Sequence, residues 1–521
     1  MPTRQSKKEM EKLKEDLETK SKEFKTMKTK LDTDYYKSEW KAYGLKNPLE
    51  VVKDFIKEKG LKLYGGQALH EHLSPYNEGF YESYEFPDYD VFSPDAWNHA
   101  KELADKLQEL GYNFVEAKSS VLNDDHHQTY KVGVDLLYIL DLTQIGCPRA
   151  DMLDGKCKKC GETKDNQCVS IFNNIPAVNM LNYNPKKQSS QEITSVTYDY
   201  TTNKAIFPAK LFLCSAEFLK ISLYKEITQP MGNYDRLSKV GTRLHTLEKY
   251  FKYDHNQCKP EEYKKEVDEN FKPVLKYIGD YIVDSDLINY GASAYNFLVN
   301  NSKNLNYGSV DVADYQVYTY NAEWHSQNLL KLLSNKFRKM TFKLQEKIYY
   351  WKGTDANNIA INVSYGDLKY NTIILITEYD NCMPYIQYNR VRYATIDRIK
   401  HILQRAVALR KLTDLVEENP ANYECMLSSL LKAEQSNKNS KKFRKYVSTC
   451  SGPEINKIHT NLRKQWKDKE KVLRKTKFLL DKPRKGFITK ISPMPHTALK
   501  LPYKPSENKF KKYIKAKRTI K

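Results

Sequence analysis

Residues 60–92 read GLKLYGGQALHEHLSPYNEGFYESYEFPDYDVF. A short apolar strand, Leu61 to Tyr64, runs into Gly65-Gly66, and a helix is predicted from Gln67 to about Leu73. Asp88-Tyr89-Asp90-Val91-Phe92 then opens a second strand, and carboxylates one residue apart on a strand share a face. Two hard oxygen donors side by side suit Mg²⁺. The spacing alone is weak, since Asp32-Thr33-Asp34 and Asp284-Ser285-Asp286 share it and read as solvated turns. Two neighbours strengthen it. Asp135 stands alone in the apolar run VGVDLLYILDL (132–142), where an unpaired charge would cost several kcal/mol, so it reads as a third ligand facing the pair. The end of the first strand leaves bare backbone N–H groups at Gly65, Gly66 and Gln67, which suit a triphosphate.

Outward from this stretch the pattern is α/β. A helix from Asp95 to Leu110, another strand and then the 132–142 run follow. PAKLFLCSAEFLKISLYKEI (208–227) carries Pro208 at a plausible first helical position and keeps a helical apolar period, which predicts a separate helical layer over 203–250. Strands return over 285–410, notably NTIILITEY from Asn371. Residues 64–107 laid over 290–333 without a gap give 12 identities in 44 positions, where chance gives about 3. One α/β unit therefore occurs twice. In the second copy Asp88 corresponds to Asp314, but Asp90 to Gln316 and Gly66 to Ala292, and a looser register sets Tyr370 opposite Asp135. The second copy is expected to be catalytically dead. The expected division is an N-terminal helix (1–45), a catalytic domain (46–200), a helical layer (201–284), an inactive copy (285–430) and a basic tail (431–521).

The charge of +21 is localised. Of 86 Lys and Arg and 65 Asp and Glu, 28 and 6 fall in residues 431–521, leaving 58 and 59 before them. Clusters such as KKFRKY and KFKKYIKAKR mix cations with aromatics, the physical logic of single-stranded RNA binding; a solubilising tail is the other reading. No apolar run long enough for a membrane helix occurs and the N-terminus lacks a signal-peptide core, so a soluble intracellular chain is expected. Nine cysteines fit a reducing compartment. Cys147, Cys157, Cys160 and Cys168 could make a structural Zn²⁺ site, or sit as reduced thiols in an insertion. His126-His127 reads as a polar loop. Met10, Leu13, Leu17, Phe24, Met27 and Leu31 form a heptad seam interrupted by Lys20, which fits either a helix packed on its own body or a homodimeric coiled coil. Arg236, Lys239 and Arg243 recur on one helical face, a contact for triphosphate or RNA backbone or an ordinary solvated face. Tyr224 and Lys220, one helical turn apart, could hold an adenine and a phosphate respectively.

The order Gly-Gly, Asp-x-Asp, lone Asp resembles the signature of the polymerase β superfamily of nucleotidyltransferases. The wording GGQAL, PDYDVFS and VGVDLLYIL, with ISLYKE (221–226) and Pro230, Arg236, Lys239, Arg243 and Leu244 after it, looks like the poly(A) polymerase catalytic subunits of large cytoplasmic DNA viruses, over roughly residues 60–250. The gap from Gly66 to Asp88 is longer than the superfamily's usual one, which predicts an insertion over 74–86 and puts the strand register in question. The resemblance implies a polymerase β-like fold, which the repeat makes two such domains, and template-independent addition of AMP from ATP to an RNA 3′ end. It implies Asp88, Asp90 and Asp135 as catalytic carboxylates holding Mg²⁺ or Mn²⁺, and Gly65, Gly66, Gln67, Lys220, Tyr224, Arg236, Lys239 and Arg243 as nucleotide contacts. It implies host cytoplasm, or the virion, as the place of action. A uridylyl-transferring or CCA-adding relative, or a non-catalytic RNA-binding scaffold, are the competing readings.

Overall fold

The computed structural model describes residues 4–452, except 83, 120–128, 136, most of 146–174, 191–197, 200–203, 206–209, 229–235, 254–268, 301, 304, 306, 348–357, 367–370, 380–381, 410–419, 438, 446 and 448. The chain opens with α1 (Arg4–Ala42), which continues past the expected 6–31 and takes in the Asp32-Asp34 pair as helix rather than turn. Residues 11–28 stand in solvent, and the last turns pack on the body through Tyr36 and the buried Trp40.

The first unit begins with α2 (Pro48–Lys59). Asn47 caps it by accepting from the Leu49 amide at 3.0 Å, and Gly60 ends it at φ +61°. Then come β1 (Lys62–Tyr64), α3 (Gly65–Leu73), β2 (Tyr89–Ser93), α4 (Ala96–Leu110), β3 (Glu116–Ser119), β4 (Thr129–Val134), β5 (Leu137–Gln144), β6 (Ala177–Asn179) and β7 (Phe212–Cys214). The seven strands form one sheet in the order β3-β4-β5-β2-β1-β7-β6. Two helices follow, α5 (Ala216–Thr228) and α6 (Leu237–Tyr250).

The second unit repeats the plan. It runs α7 (Lys272–Val283), β8 (Ile288–Tyr290), α8 (Gly291–Val299), β9 (Tyr315–Thr319), α9 (Ala322–Lys336), β10 (Thr341–Lys347), β11 (Asn358–Ser364), β12 (Asn371–Glu378), β13 (Met383–Tyr388), β14 (Val391–Ala394), α10 (Ile396–Leu409) and α11 (Pro420–Ser436). Its sheet is β10-β11-β12-β9-β8-β14-β13, extended by β15 (Cys450–Ser451). Strand by strand the parallel and antiparallel pairings match those of the first sheet, including β2 parallel to β5 against β9 parallel to β12. The repeat is thus larger than the 44 positions that reveal it, spanning α2–α6 and α7–α11.

Three readings of the sequence change. The run 132–142 is no single strand: β4 and β5 make an antiparallel hairpin whose turn holds Asp135 at φ +48°, a conformation that Asp tolerates better than most residues. Residues 212–214 are a buried strand parallel to β1 rather than the start of a helix, and Ser215 opens α5 by accepting from the Phe218 amide at 3.3 Å. The expected boundary at 200 therefore cuts through the first sheet, and the one at 430 cuts through α11. Sparse cysteines predict free thiols, yet Cys382 and Cys450 are joined as a disulfide that ties β15 to β13, while Cys214 is a buried free thiol. No helix among the described residues is long and apolar enough to cross a membrane.

Candidate active site at the β2–β5 junction

Parallel pairing of β2 with β5 sets Asp90 beside Asp141, and antiparallel neighbours extend that row to Tyr64 on β1 and Lys131 on β4. Side chains in register on adjacent strands share a face. The row is thus Tyr64, Asp90, Asp141, Lys131, and Lys131 makes an ion pair with Asp141. Below it, Tyr64 stacks on Phe92 with centroids 4.0 Å apart, and its hydroxyl shares a hydrogen bond with Thr143 Oγ1 at 2.6 Å. Burial, reinforced by Asp90 and Asp141, drives the Tyr64 hydroxyl far above its ordinary pKa, so it stays a neutral phenol.

Gly65 and Gly66 follow Tyr64 and make the first turn of α3. Gly65 sits at φ +71°, and a Cβ there would lie 2.0 Å from Asp90 Oδ2, so glycine is required for both conformation and space. The Gly66 amide donates to Asp90 Oδ2 at 3.3 Å. Gln67, almost buried, donates to Glu71 at 2.8 Å. Tyr81 reaches the same turn, its hydroxyl 2.2 Å from where a Cβ on Gly66 would lie, and the charges of Asp88 and Asp90 act on both Tyr81 and Lys239. Burial, then Arg243 and Arg236, hold Lys239 below the usual lysine range, against the two acids. Arg243 reaches the same place: its Nη2 would stand 3.3 Å from a Cβ at Gly66. Arg236 lies further out, exposed and paired with Glu226 at 3.2 Å.

The structure does not bring Asp135 to this point. It occupies the β4–β5 turn, where its Oδ2 accepts from Trp40 Nε1 at 2.8 Å and so tethers α1 to the body. Asp141 stands where the third carboxylate was expected. The β-bulge between Val132 and Gly133 is what sets Lys131 opposite Asp141, so counting outward from the turn does not find the pair. Lys220 and Tyr224 are not brought to the carboxylates either. Both are almost fully buried; Lys220 donates to the Phe251 carbonyl, Tyr224 donates to Glu248, and Lys400 of α10 lies over the Tyr224 ring at 5.6 Å. These side chains seal the packing of α5 against α6 and α10. Cys147, Cys160, Cys168, His126, His127 and the tail beyond 452 lie outside the described residues, as does the side chain of Cys157.

Asp88, Asp90 and Asp141 are the donor set that a hard divalent cation takes, and the space kept clear at Gly65 beside Asp90 fits that use. Among the described residues no three His, Cys, Asp or Glu side chains are gathered closely enough to hold a metal ion, and Asp141 is turned to Lys131. The chemistry of the set fits such an ion; its closure would need Asp141 to leave Lys131.

Residues 50–153 match the family model described as poly(A) polymerase catalytic subunit, a stretch that contains both glycines and all four acids of this region. The chain is 32% identical over 131 residues to a protein of Acanthamoeba polyphaga mimivirus assigned as a poly(A) polymerase catalytic subunit, covering 23% of this chain and 22% of that one. It is 38% identical over 107 residues to proteins of the same assignment in African swine fever virus isolates, covering 20% and 22%. The chain thus matches about a fifth of the length of these curated relatives. The resemblance read from the motifs is found over this stretch, and the segment 221–244 lies beyond the family match. The crystal structure of the Megavirus polyadenylate synthase superposes with a TM-score of 0.58 over 82% of this chain and 77% of that one, at 19% identity, a likeness of fold.

Proposed function

We propose that this chain, with its poly(A) polymerase likeness centred on the site just described, is a template-independent RNA adenylyltransferase acting through Asp88, Asp90 and Asp141. The observation that carries the reading is the row across β1, β2 and β5: two acids in register, a third two residues before them, and a glycine turn that presents backbone amides beside Asp90. In the reaction an RNA 3′ oxygen attacks the α-phosphorus of ATP. A new P–O bond forms, pyrophosphate leaves with its electron pair, and the hydroxyl proton is released. The α3 amides and Arg243 would take the phosphates, and the parallel pairing of β2 with β5 keeps Asp90 and Asp141 in register. Mg²⁺ or Mn²⁺ held by Asp88, Asp90 and Asp141 would supply the positive charge that this phosphoryl transfer demands.

The second unit is proposed to be inactive. In its equivalent row Tyr290 is followed by Gln316, Leu375 and Ala360, with no carboxylate among the last three. The viral setting, in host cytoplasm or virion, and RNA binding by the basic tail belong to the same proposal.

A homodimer through α1 has its own support. Leu13, Leu17, Phe24, Met27 and Leu31 are 52% to 70% exposed, whereas the residues that touch the body, Lys30, Thr33, Tyr36, Lys37 and Trp40, fall on the opposite side of the helix. In a parallel, in-register pair the flanking charges set Glu9 against Lys14 and Glu23 against Lys28 of the other copy. Antiparallel pairing would oppose acids to acids. Sedimentation of the full chain beside one carrying Leu17→Lys and Phe24→Lys checks this: a monomer in both rejects the dimer.

Incubating a short RNA with the protein, Mg²⁺ or Mn²⁺ and each nucleoside triphosphate singly tests the main proposal. ATP-selective extension that Asp141→Asn lowers on the order of 10²-fold and Asp135→Asn spares is expected. Extension by UTP, or by CTP followed by ATP, would point to another terminal transferase, and no extension at all to a scaffold.

A further inference from the structure

The described residues of 77–87, between α3 and β2, are strapped across the site. The Phe80 and Tyr81 amides both donate to His70 Nδ1 at 3.0 Å, and Glu78 accepts from Lys249 Nζ and from the Tyr250 hydroxyl, each at 3.0 Å. The Phe80 ring lies under Arg243 at 5.2 Å, and further on Phe86 packs on Trp40 with centroids 5.4 Å apart. These anchors deliver the Tyr81 hydroxyl to the first turn of α3, where a Cβ at Gly66 would lie 2.2 Å from it. There it is hydrogen-bonded to Arg243, with Asp88 and Asp90 acting on it. Two almost buried polar atoms in the same place, Arg243 Nε and Gln67 Oε1, have no hydrogen-bond partner among the described residues.

We infer that Tyr81 is a contact for the nucleotide's triphosphate, positioned by the His70 strap and acting jointly with Arg243. The inference rests on the nucleotidyl-transfer reading and deepens it. The Tyr81 hydroxyl stands at the first turn of α3, within reach of a phosphate seated on its amides. The phenol oxygen accepts from the guanidinium and leaves its own O–H to donate. The second unit lacks the arrangement. The residue equivalent to Tyr81 is Tyr307, whose amide donates to Ser429 Oγ at 2.9 Å and whose carbonyl accepts from Tyr295 at 3.0 Å, while Ala292 fills the space that Gly66 leaves open.

The test uses the full chain and two probes, inorganic tripolyphosphate and ATP, with binding read by calorimetry and RNA extension read as separate kcat and KM. Tyr81→Phe keeps the ring and its packing and removes only the donor. It should weaken tripolyphosphate binding and raise the KM for ATP by roughly tenfold, with kcat changed by less than about twofold. His70→Leu, which frees the strap, should raise KM in the same direction. Tripolyphosphate affinity and KM unchanged in Tyr81→Phe would overturn the inference while leaving ATP-dependent extension intact. Lowered kcat at unchanged KM would overturn it too, by assigning Tyr81 a structural part. A wild-type protein that binds neither probe and extends no RNA would sink the functional proposal and this inference together.

Discussion

Tyr64 and Tyr290 hold the same place in two sheets and keep the same company. Each stacks on an aromatic of the neighbouring strand, Phe92 at 4.0 Å or Tyr318 at 4.1 Å, and each shares a hydrogen bond with a threonine one strand further, Thr143 at 2.6 Å or Thr377 at 2.7 Å. Each is followed by a glycine in the left-handed region, φ +71° and +64°, pressed against the next residue of the row. What differs lies in that row: Asp90, Asp141 and Lys131 in the first unit, Gln316, Leu375 and Ala360 in the second. The second unit is folded without the acids. Stacking, the Tyr–Thr bond and the glycine turn therefore suffice for the scaffold, and the carboxylates of the first unit are an addition whose mutual repulsion the fold must carry.

The sharpest way to break that contrast is at the middle of the row. Asp90→Asn should lower RNA extension on the order of 10³-fold with little change in melting temperature, and Gln316→Ala should leave extension within about twofold. Equal losses from both would make the second unit a working partner in the chemistry. Next, Asp141→Asn should cost on the order of 10² in rate. Asp135→Asn should instead lower stability by about 1–2 kcal/mol by weakening the charged bond to Trp40, with the rate retained; thermal denaturation read beside extension separates the two.

Lys62 offers a difference in pH behaviour. It is buried, donates to the Phe172 and Ile175 carbonyls at 2.8 Å each, and burial lowers its pKa to about 7; its counterpart is Ile288. Between pH 7 and its ordinary 10.5 the unfolded chain binds more protons than the folded one, so this group makes stability rise with pH across that window. Lys62→Ile should flatten the rise, by on the order of a few kcal/mol, in melting curves taken from pH 7 to 10. The smallest effect on stability is expected at the glycines. Gly65→Ala and Gly291→Ala should each cost about 1 kcal/mol or somewhat more in stability. Only the former should also lower extension, because its Cβ meets the Asp90 carboxylate, whereas that of Gly291 meets the Gln316 amide in a row without acids.

Much of this was legible in the sequence. The glycine turn, the Asp88–Asp90 pair, the α/β alternation and the duplication all lie in residues whose spacing reports directly on backbone geometry. The third acid was not, because a hairpin turned at Asp135, without Asn-Gly or Gly-Asn, is invisible inside a run of apolar residues. Periodicity sees two short buried strands there as one. Phe212–Cys214 hid for a similar reason, as three buried residues beside a helix have no period of their own. Lys220 and Tyr224 misled because a helical repeat reveals that residues share a face without saying what that face touches. Tyr81 sits in a segment whose length alone marked it, and its meaning comes from His70, eleven residues back.

The length of α1 carries one more consequence. Thirty-nine helical residues make a rod about 58 Å long, of which the last few turns rest on the body. A rod of that kind acts as a spacer: whatever grips its far end is held tens of ångströms from Asp90, and a tug there is levered onto Trp40, and so onto Phe86, two residues before Asp88.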